Sequence, residues 1–295
     1  QSSIDHAVTL DMSDVSKIEV IRGPETLIYG PNAIGGVVDV GVTGNPKIRV
    51  RKLFTRLMIG GESFNKGING GIQLYIPISP YQVNISLNNR FSGNQTFPDG
   101  ELENTSSQSS NYKLGFTKYN KSSFISLVFE NFRMNYGIPG SAEGHINGAD
   151  IKLLKNSFTF NFHKDLSFYN FNQLDIRYNF IDYGHEEFEN DLDFFSVALS
   201  KYTNNFNVKI ESDNLLVGSD FSYELFVPGG FYWTPVTHDL NLSLYGFYNS
   251  ELFNGYNFST AFRSGYISIF PSENRMRAQN LVEEDIKNRH YPFIS

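Results

Sequence analysis

From about Lys47 onward the chain alternates. Ile72, Leu74, Ile76 and Ile78 are interleaved with Gln73, Tyr75 and Pro77, and Val83, Ile85 and Leu87 with Asn84, Ser86 and Asn88. The same beat recurs where Phe158, Phe160 and Phe162 face Thr159, Asn161 and His163, and where Leu240, Leu242 and Leu244 flank Asn241 and Ser243. Successive side chains of a strand point to opposite faces, so each run predicts a β-strand with one apolar face and one face of amide, hydroxyl and charge. A sandwich would alternate in this way, and so would a barrel with a polar lumen and an apolar outside. The connections separate the two. Short turns at Ser79-Pro80, Asn120-Lys121 and Asp165-Leu166-Ser167 take turns with long polar stretches, Ser92 to Asn111 and Tyr136 to Asp150. Short turns at one end and long loops at the other are characteristic of outer-membrane barrels. Runs of roughly 9 to 11 residues, enough to cross a bilayer on a tilted strand, number about a dozen. The expected fold is all-β, an antiparallel transmembrane β-barrel.

Residues 15–40 follow another pattern. Ile18, Val20, Val37, Val38 and Val40 are β-formers, while Gly23-Pro24, Gly30-Pro31 and Gly35-Gly36 are turn signals that let backbone approach backbone. A phosphate-binding glycine loop would need a following Lys-Ser/Thr and a long helix, and the sequence has neither. A plain hairpin is compatible with this window alone.

The series Ile18-Glu19-Val20, Arg22-Gly23-Pro24, Tyr29-Gly30 and Ala33-Ile34-Gly35-Gly36 closely resembles the end of the plug domain of TonB-dependent outer-membrane receptors. Further segments are similar to one receptor branch that includes zinc-uptake receptors: Arg90 to Gly93, Phe97 to Gly100, Tyr136 to Gly140, Asp182 to Glu187 and Glu224 to Pro228. The resemblance implies that residues 1–46 are the C-terminal part of a plug and residues 47–295 the N-terminal part of the barrel, truncated, since barrels of this class need about 22 strands. On this expectation Gln1 is a fragment end, the amino-terminal segment gripped by a TonB-type energy-transducing protein is missing, and Tyr291 to Ser295 is a strand cut in its course. Asp39 stands where the family commonly has Asn. The resemblance further implies residence in the bacterial outer membrane, lipid on the apolar faces, and import of a scarce ligand. It also assigns Arg22 and Glu19 to a charge lock between plug and barrel, because a guanidinium in a partly buried interior must meet carboxylates. An outer-membrane barrel with an adhesion or structural role is the alternative, and a barrel without import has no need of an Arg-Gly-Pro plug strand.

Composition narrows the partners. The 295 residues carry a net charge of −7, which argues against nucleic acid, a ligand that demands clustered Lys and Arg. The absence of cysteine excludes disulfides and thiolate metal sites. With 27 Phe, 17 Tyr and only 19% charged residues, the chain suits an apolar surface that faces something other than a compact core. No run reaches the ~18 apolar residues of a membrane helix, and barrel strands would not produce one.

The sharpest chemical constellation lies between Leu174 and Glu189. Period two puts Leu174, Ile176, Tyr178 and Phe180 on one face and His185, Glu187 and Glu189 on the lumenal one, where imidazole and carboxylates could hold zinc or a similar cation. His145, in the Gly-rich loop before Gly148, is the expected second imidazole. These are contacts for a transported zinc, siderophore or haem rather than for a resident cofactor. The acidic cluster Glu186, Glu187, Glu189, Asp191 and Asp193 lacks the shielding that paired catalytic carboxylates need, and no nucleophile elbow occurs, so no enzyme is expected.

Overall fold

The computed structural model describes residues 9–31, 33, 35–42, 44, 46–141, 145–189, 195–230, 234–253, 255–272 and 287–295. Among the described residues, helix is confined to two short 3-10 segments, Met12–Asp14 and Pro24–Tyr29. β1 (Val15–Ile21) and β2 (Val37–Val42) pair antiparallel as a separate two-stranded sheet, with Val15 opposite Val42 and Ile21 opposite Val37.

The body is one antiparallel sheet of twelve strands. It begins with β3 (Phe54–Glu62), β4 (Gly67–Ile78) and β5 (Tyr81–Ser92). A small hairpin of β6 (Gln95–Phe97) and β7 (Gly100–Leu102) interrupts the path before β8 (Ser107–Tyr119), which pairs with β5. The sheet then proceeds neighbour by neighbour through β9 (Ser123–Ile138), β10 (Ala149–Phe168), β11 (Phe171–Glu189), β12 (Val197–Ser212), β13 (Leu215–Gly230), β14 (Thr237–Phe253), β15 (Tyr256–Pro271) and β16 (Arg289–Ile294). Connections 79–80, 120–122, 169–170, 213–214 and 254–255 share one end, and the longer 93–106, 139–148, 190–196, 231–236 and 272–288 share the other.

Burial along the strands is inverted relative to a water-soluble sheet. Gln73, Gln82, Asn88, Asn111, Thr117 and Ser126 are buried, whereas Leu57 and Ile59 are 69% and 80% exposed and Leu114, Phe129, Leu242 and Leu244 at least half exposed. Those six apolar side chains alone, at roughly 1 to 2 kcal/mol each, would forfeit on the order of 10 kcal/mol in water. That equals the whole net stability of an ordinary domain. The outer face therefore requires an apolar solvent, while amides and hydroxyls of the polar face bond one another, as from Gln82 Nε2 to Asn84 Oδ1 (3.0 Å) and from Asn88 Nδ2 to Ser86 Oγ (3.1 Å).

One turn differs from its expected place. Asp165-Leu166-Ser167 has turn-like composition, yet it lies inside β10, and the chain reverses at Tyr169 and Asn170. Both have left-handed backbone, φ 46° and 66°, the pattern of a two-residue hairpin whose twist matches that of its strands. The irregularity between Asp165 and Phe168 absorbs the extra residues as a bulge.

Candidate functional site

The glycines of the amino-terminal segment set its path. Gly23 adopts φ 86° and ψ −162°, a conformation essentially closed to residues with a Cβ, and it delivers Pro24 to the first position of the second 3-10 helix. Thr26 Oγ1 donates to the Gly23 carbonyl at 2.8 Å and fixes that start. A Cβ on Gly36, at φ 140°, would stand 3.2 Å from the Ile21 carbonyl oxygen and 3.8 Å from Arg22 Cγ, so the second strand returns tightly against the first. Gly30 closes the helix at φ 152°, Tyr29 is half exposed, Gly35 has open space around it, and Ile34 lies outside the described residues. Arg22 is exposed, and among the described residues it forms no ion pair. Glu19 pairs with Lys17 of its own strand at 2.5 Å.

Other side chains join this segment to the sheet. Asp14, at the end of the first 3-10 helix, is fully buried against the polar face. It meets the Lys113 ammonium of β8 and accepts from Ser86 Oγ of β5 at 3.3 Å. Lys113 also faces Glu130 of β9 at 3.5 Å, and Glu130 binds Lys155 of β10 at 3.2 Å. Lys155 in turn donates to the Thr9 carbonyl at 3.1 Å. Burial pushes the Asp14 carboxyl above its ordinary range, and the Lys113 ammonium opposes that shift.

A second anchor lies several strands away. Arg263 of β15, 2% exposed, donates through Nη1 to the carbonyls of Leu27 and Ile28 at 3.1 and 3.3 Å. Its other nitrogen reaches Asp220 of β13 at 2.5 Å and Ser243 of β14 at 2.6 Å, and its guanidinium stacks 5.0 Å from the Tyr245 ring centroid. The planar fork suits this site: two donors hold backbone while two are held by the sheet. A third set of contacts secures the passage to β3 at the short-turn end. Tyr119 Oη donates to the Pro46 carbonyl (2.8 Å), Gln82 brackets Ile48 and Val50, and Lys47 pairs with Asp175 at 3.3 Å.

Alternation identified the polar face but not these anchors. The one signal for them is a strand interior with a charge on its polar side, as Lys113 between Asn111 and Thr117 or Arg263 within β15.

At the long-loop end, His185 and Glu187 of β11 lie buried on the polar-face side, with His185 Nε2 2.7 Å from Glu187 Oε1. His145 Nδ1 stands 2.6 Å from Glu189 Oε1. The four residues are thus drawn into two His–Glu pairs, and among the described residues no group of three His, Asp or Glu side chains converges as a metal site. In register with His185 and Glu187 are Leu153 and Ile151, which with Ala149 form a buried apolar cluster touched by Met134, Tyr136, Ile138 and Tyr183. Asp191 and Asp193 of the acidic cluster lie outside the described residues.

A short glycine-punctuated segment, pinned at several points to the polar face of an antiparallel sheet whose other face is apolar, defines a plugged membrane β-barrel architecture. Comparison with known proteins agrees. Residues 1–37 match the TonB-dependent Receptor Plug Domain family. The whole fold is similar to the FrpB iron transporter from Neisseria meningitidis (F3-3 variant), with a TM-score of 0.73 at 11% identity over 97% of this chain and 50% of that one. It is also similar to the copper transporter OprC, with a TM-score of 0.78 at 13% identity over 95% of this chain and 48% of the other. The chain spans about half the length of these solved structures.

Proposed function

We propose that this chain is the plug-to-barrel portion of an energy-coupled importer of the bacterial outer membrane, with residues 1–46 closing the plug and residues 47–295 opening the barrel. The observation that carries the reading is the docked segment: Asp14 and the Leu27–Ile28 carbonyls are gripped by ion-paired side chains of the sheet, while the opposite face is apolar. Side-chain and ion-pair anchors of this kind hold a closed state and release it when a partner pulls. The pulling partner is a TonB-type protein that grips the chain amino-terminal to the plug strands. Arg22 and Glu19 are proposed as further members of the holding set in the intact protein, although among the described residues Arg22 is exposed without an ion pair and Glu19 pairs within its own strand. In the intact protein, uptake of its cargo should require the energised partner and the protein should partition with outer-membrane lipid; recovery in the soluble fraction without detergent defeats the proposal.

For the cargo we propose a metal ion or metal chelate, with zinc favoured by the donor set. Neutral imidazole and carboxylate suit a borderline cation. The two pairs, His185 with Glu187 and His145 with Glu189, sit near the long-loop end, where a solute from outside would arrive. Calorimetric titration of zinc into the intact protein should show binding that weakens as pH falls, because a protonated imidazole cannot coordinate. His185→Ala with Glu187→Ala should lower the affinity by at least tenfold. Unchanged affinity removes these residues from the cargo path and leaves import itself standing.

A further inference from the structure

We propose that the outer face of the short-turn end is a docking surface for anionic phospholipid headgroups, formed by Arg51, Lys52, Lys118, Lys121 and Lys164. The proposal rests on the membrane-spanning reading above. All five side chains are exposed, and they fall in one sector of the sheet. Arg51 and Lys52 directly precede β3, Lys118 is the penultimate residue of β8, Lys121 lies in the connection to β9, and Lys164 is near the end of β10. Lys118 is in register with Ile125 and Lys164 with Ser123, so the two ammoniums flank β9 on its outer face. From β3 to β10 the main sheet has six consecutive strands, about 24 Å of membrane edge at their usual spacing.

Charge in this sector runs against the chain as a whole. The protein carries −7, yet among the described residues the sector's one carboxylate at this end is Asp165, which His163 engages at 3.1 Å. The cations also stand where the apolar face stops. Leu53, next to Lys52, is 64% exposed. The Lys118 ammonium lies 6.0 Å from the Tyr81 ring centroid, and Tyr81 stacks on Phe116 at 5.4 Å. A long aliphatic stem over aromatic rings with its charge beyond them is the posture of a lysine reaching for a headgroup layer. Lys47 and Arg49 do not join this surface, since they are engaged by Asp175 and by the Tyr119 ring. At the opposite end, by contrast, the exposed Lys152 stands in register with Glu186 and its ammonium lies 4.0 Å from the Phe188 ring centroid.

Each surface cation adds about fivefold to the attraction for an anionic leaflet at low salt. The intact protein, delipidated in neutral detergent, would be titrated with phosphatidylglycerol or with zwitterionic phosphatidylethanolamine, and bound lipid counted by native mass spectrometry. The expected result is a preference for phosphatidylglycerol that falls about a hundredfold in the triple variant Lys118→Gln, Lys121→Gln, Lys164→Gln, and that fades in high salt. The triple Lys→Arg variant should keep it. Lys152→Gln, at the other end, should leave it unchanged. No preference in the wild type, a preference that survives in the Gln variant, or an equal loss in Lys152→Gln overturns the proposal. A patch that instead captures a basic-site-seeking periplasmic protein with no lipid preference overturns it too. Extraction of the protein without detergent would defeat the membrane reading itself, a separate outcome.

Discussion

Replacing Lys113 with Met in the intact protein is expected to weaken the hold on the docked plug by about 3 to 5 kcal/mol, the usual cost of stripping one partner from a buried ion pair. The size follows from what remains. Asp14 is fully buried beneath β5 and β8, and without the ammonium its carboxylate must stay charged away from water, take up a proton, or leave. Glu130 also loses one of its two cations, though Lys155 still holds it at 3.2 Å. Backbone hydrogen exchange in residues 9–21 should accelerate by two orders of magnitude or more, and cells carrying the variant should admit large antibiotics that the closed plug excludes. Combining Lys113→Met with Asp14→Asn should recover much of the protection, because the double change removes the stranded charge. If the double variant is as leaky as the single one, the ion pair is not the anchor.

Arg263→Met should loosen a different part of the same segment. Arg263 is the one side chain described that binds the carbonyls of Leu27 and Ile28 while engaging Asp220 and Ser243 of the sheet. Its loss leaves the two carbonyls short of a donor, at about 2 to 6 kcal/mol in total given 1 to 3 for each buried group left unsatisfied, while Asp220 keeps its bond from Asn207. Faster exchange should be confined to residues 24–30, with residues 9–14 still protected by Asp14. Arg263→Lys should rescue only in part, since a single ammonium cannot present the fork or stack on Tyr245 in the same way. Uniform loosening of both regions would mean that the two anchors are one cooperative unit.

Much of the fold was legible in alternation because the polar face and the apolar face differ in chemistry at every step. Gln73, Asn84, Ser86 and Asn88 are buried as a polar row, with Leu57 and Leu114 on the apolar side. The plug signature was legible because Gly23 and Gly36 must be glycine for backbone reasons local to a few residues. What was not legible depends on register. Asp14 meets Lys113 across 99 positions, and Arg263 meets Leu27 across 236, distances at which no short window carries a signal. The same holds for the four metal candidates: period two puts His185 and Glu187 on one face, but it carries no signal for the approach of His145 to Glu189 rather than to the other pair. The misplaced turn at Asp165 to Ser167 has a simpler cause. Small polar residues mark turns and bulges alike, and here they mark the bulge, while an aromatic, Tyr169, takes the corner.

The order of the two anchors along the chain has a mechanical consequence. Thr9 and Asp14 are fastened to β10 and β8, Leu27 and Ile28 to β15, and β1 lies between them in sequence. Tension applied from the amino-terminal side is therefore borne by the anchors one after the other, not shared between them. The first must fail before the second is loaded, and β1 then peels from β2 one residue pair at a time rather than shearing along its whole length. Such a clasp yields at a force set by its strongest single link, so a modest, sustained pull can open what thermal motion leaves shut.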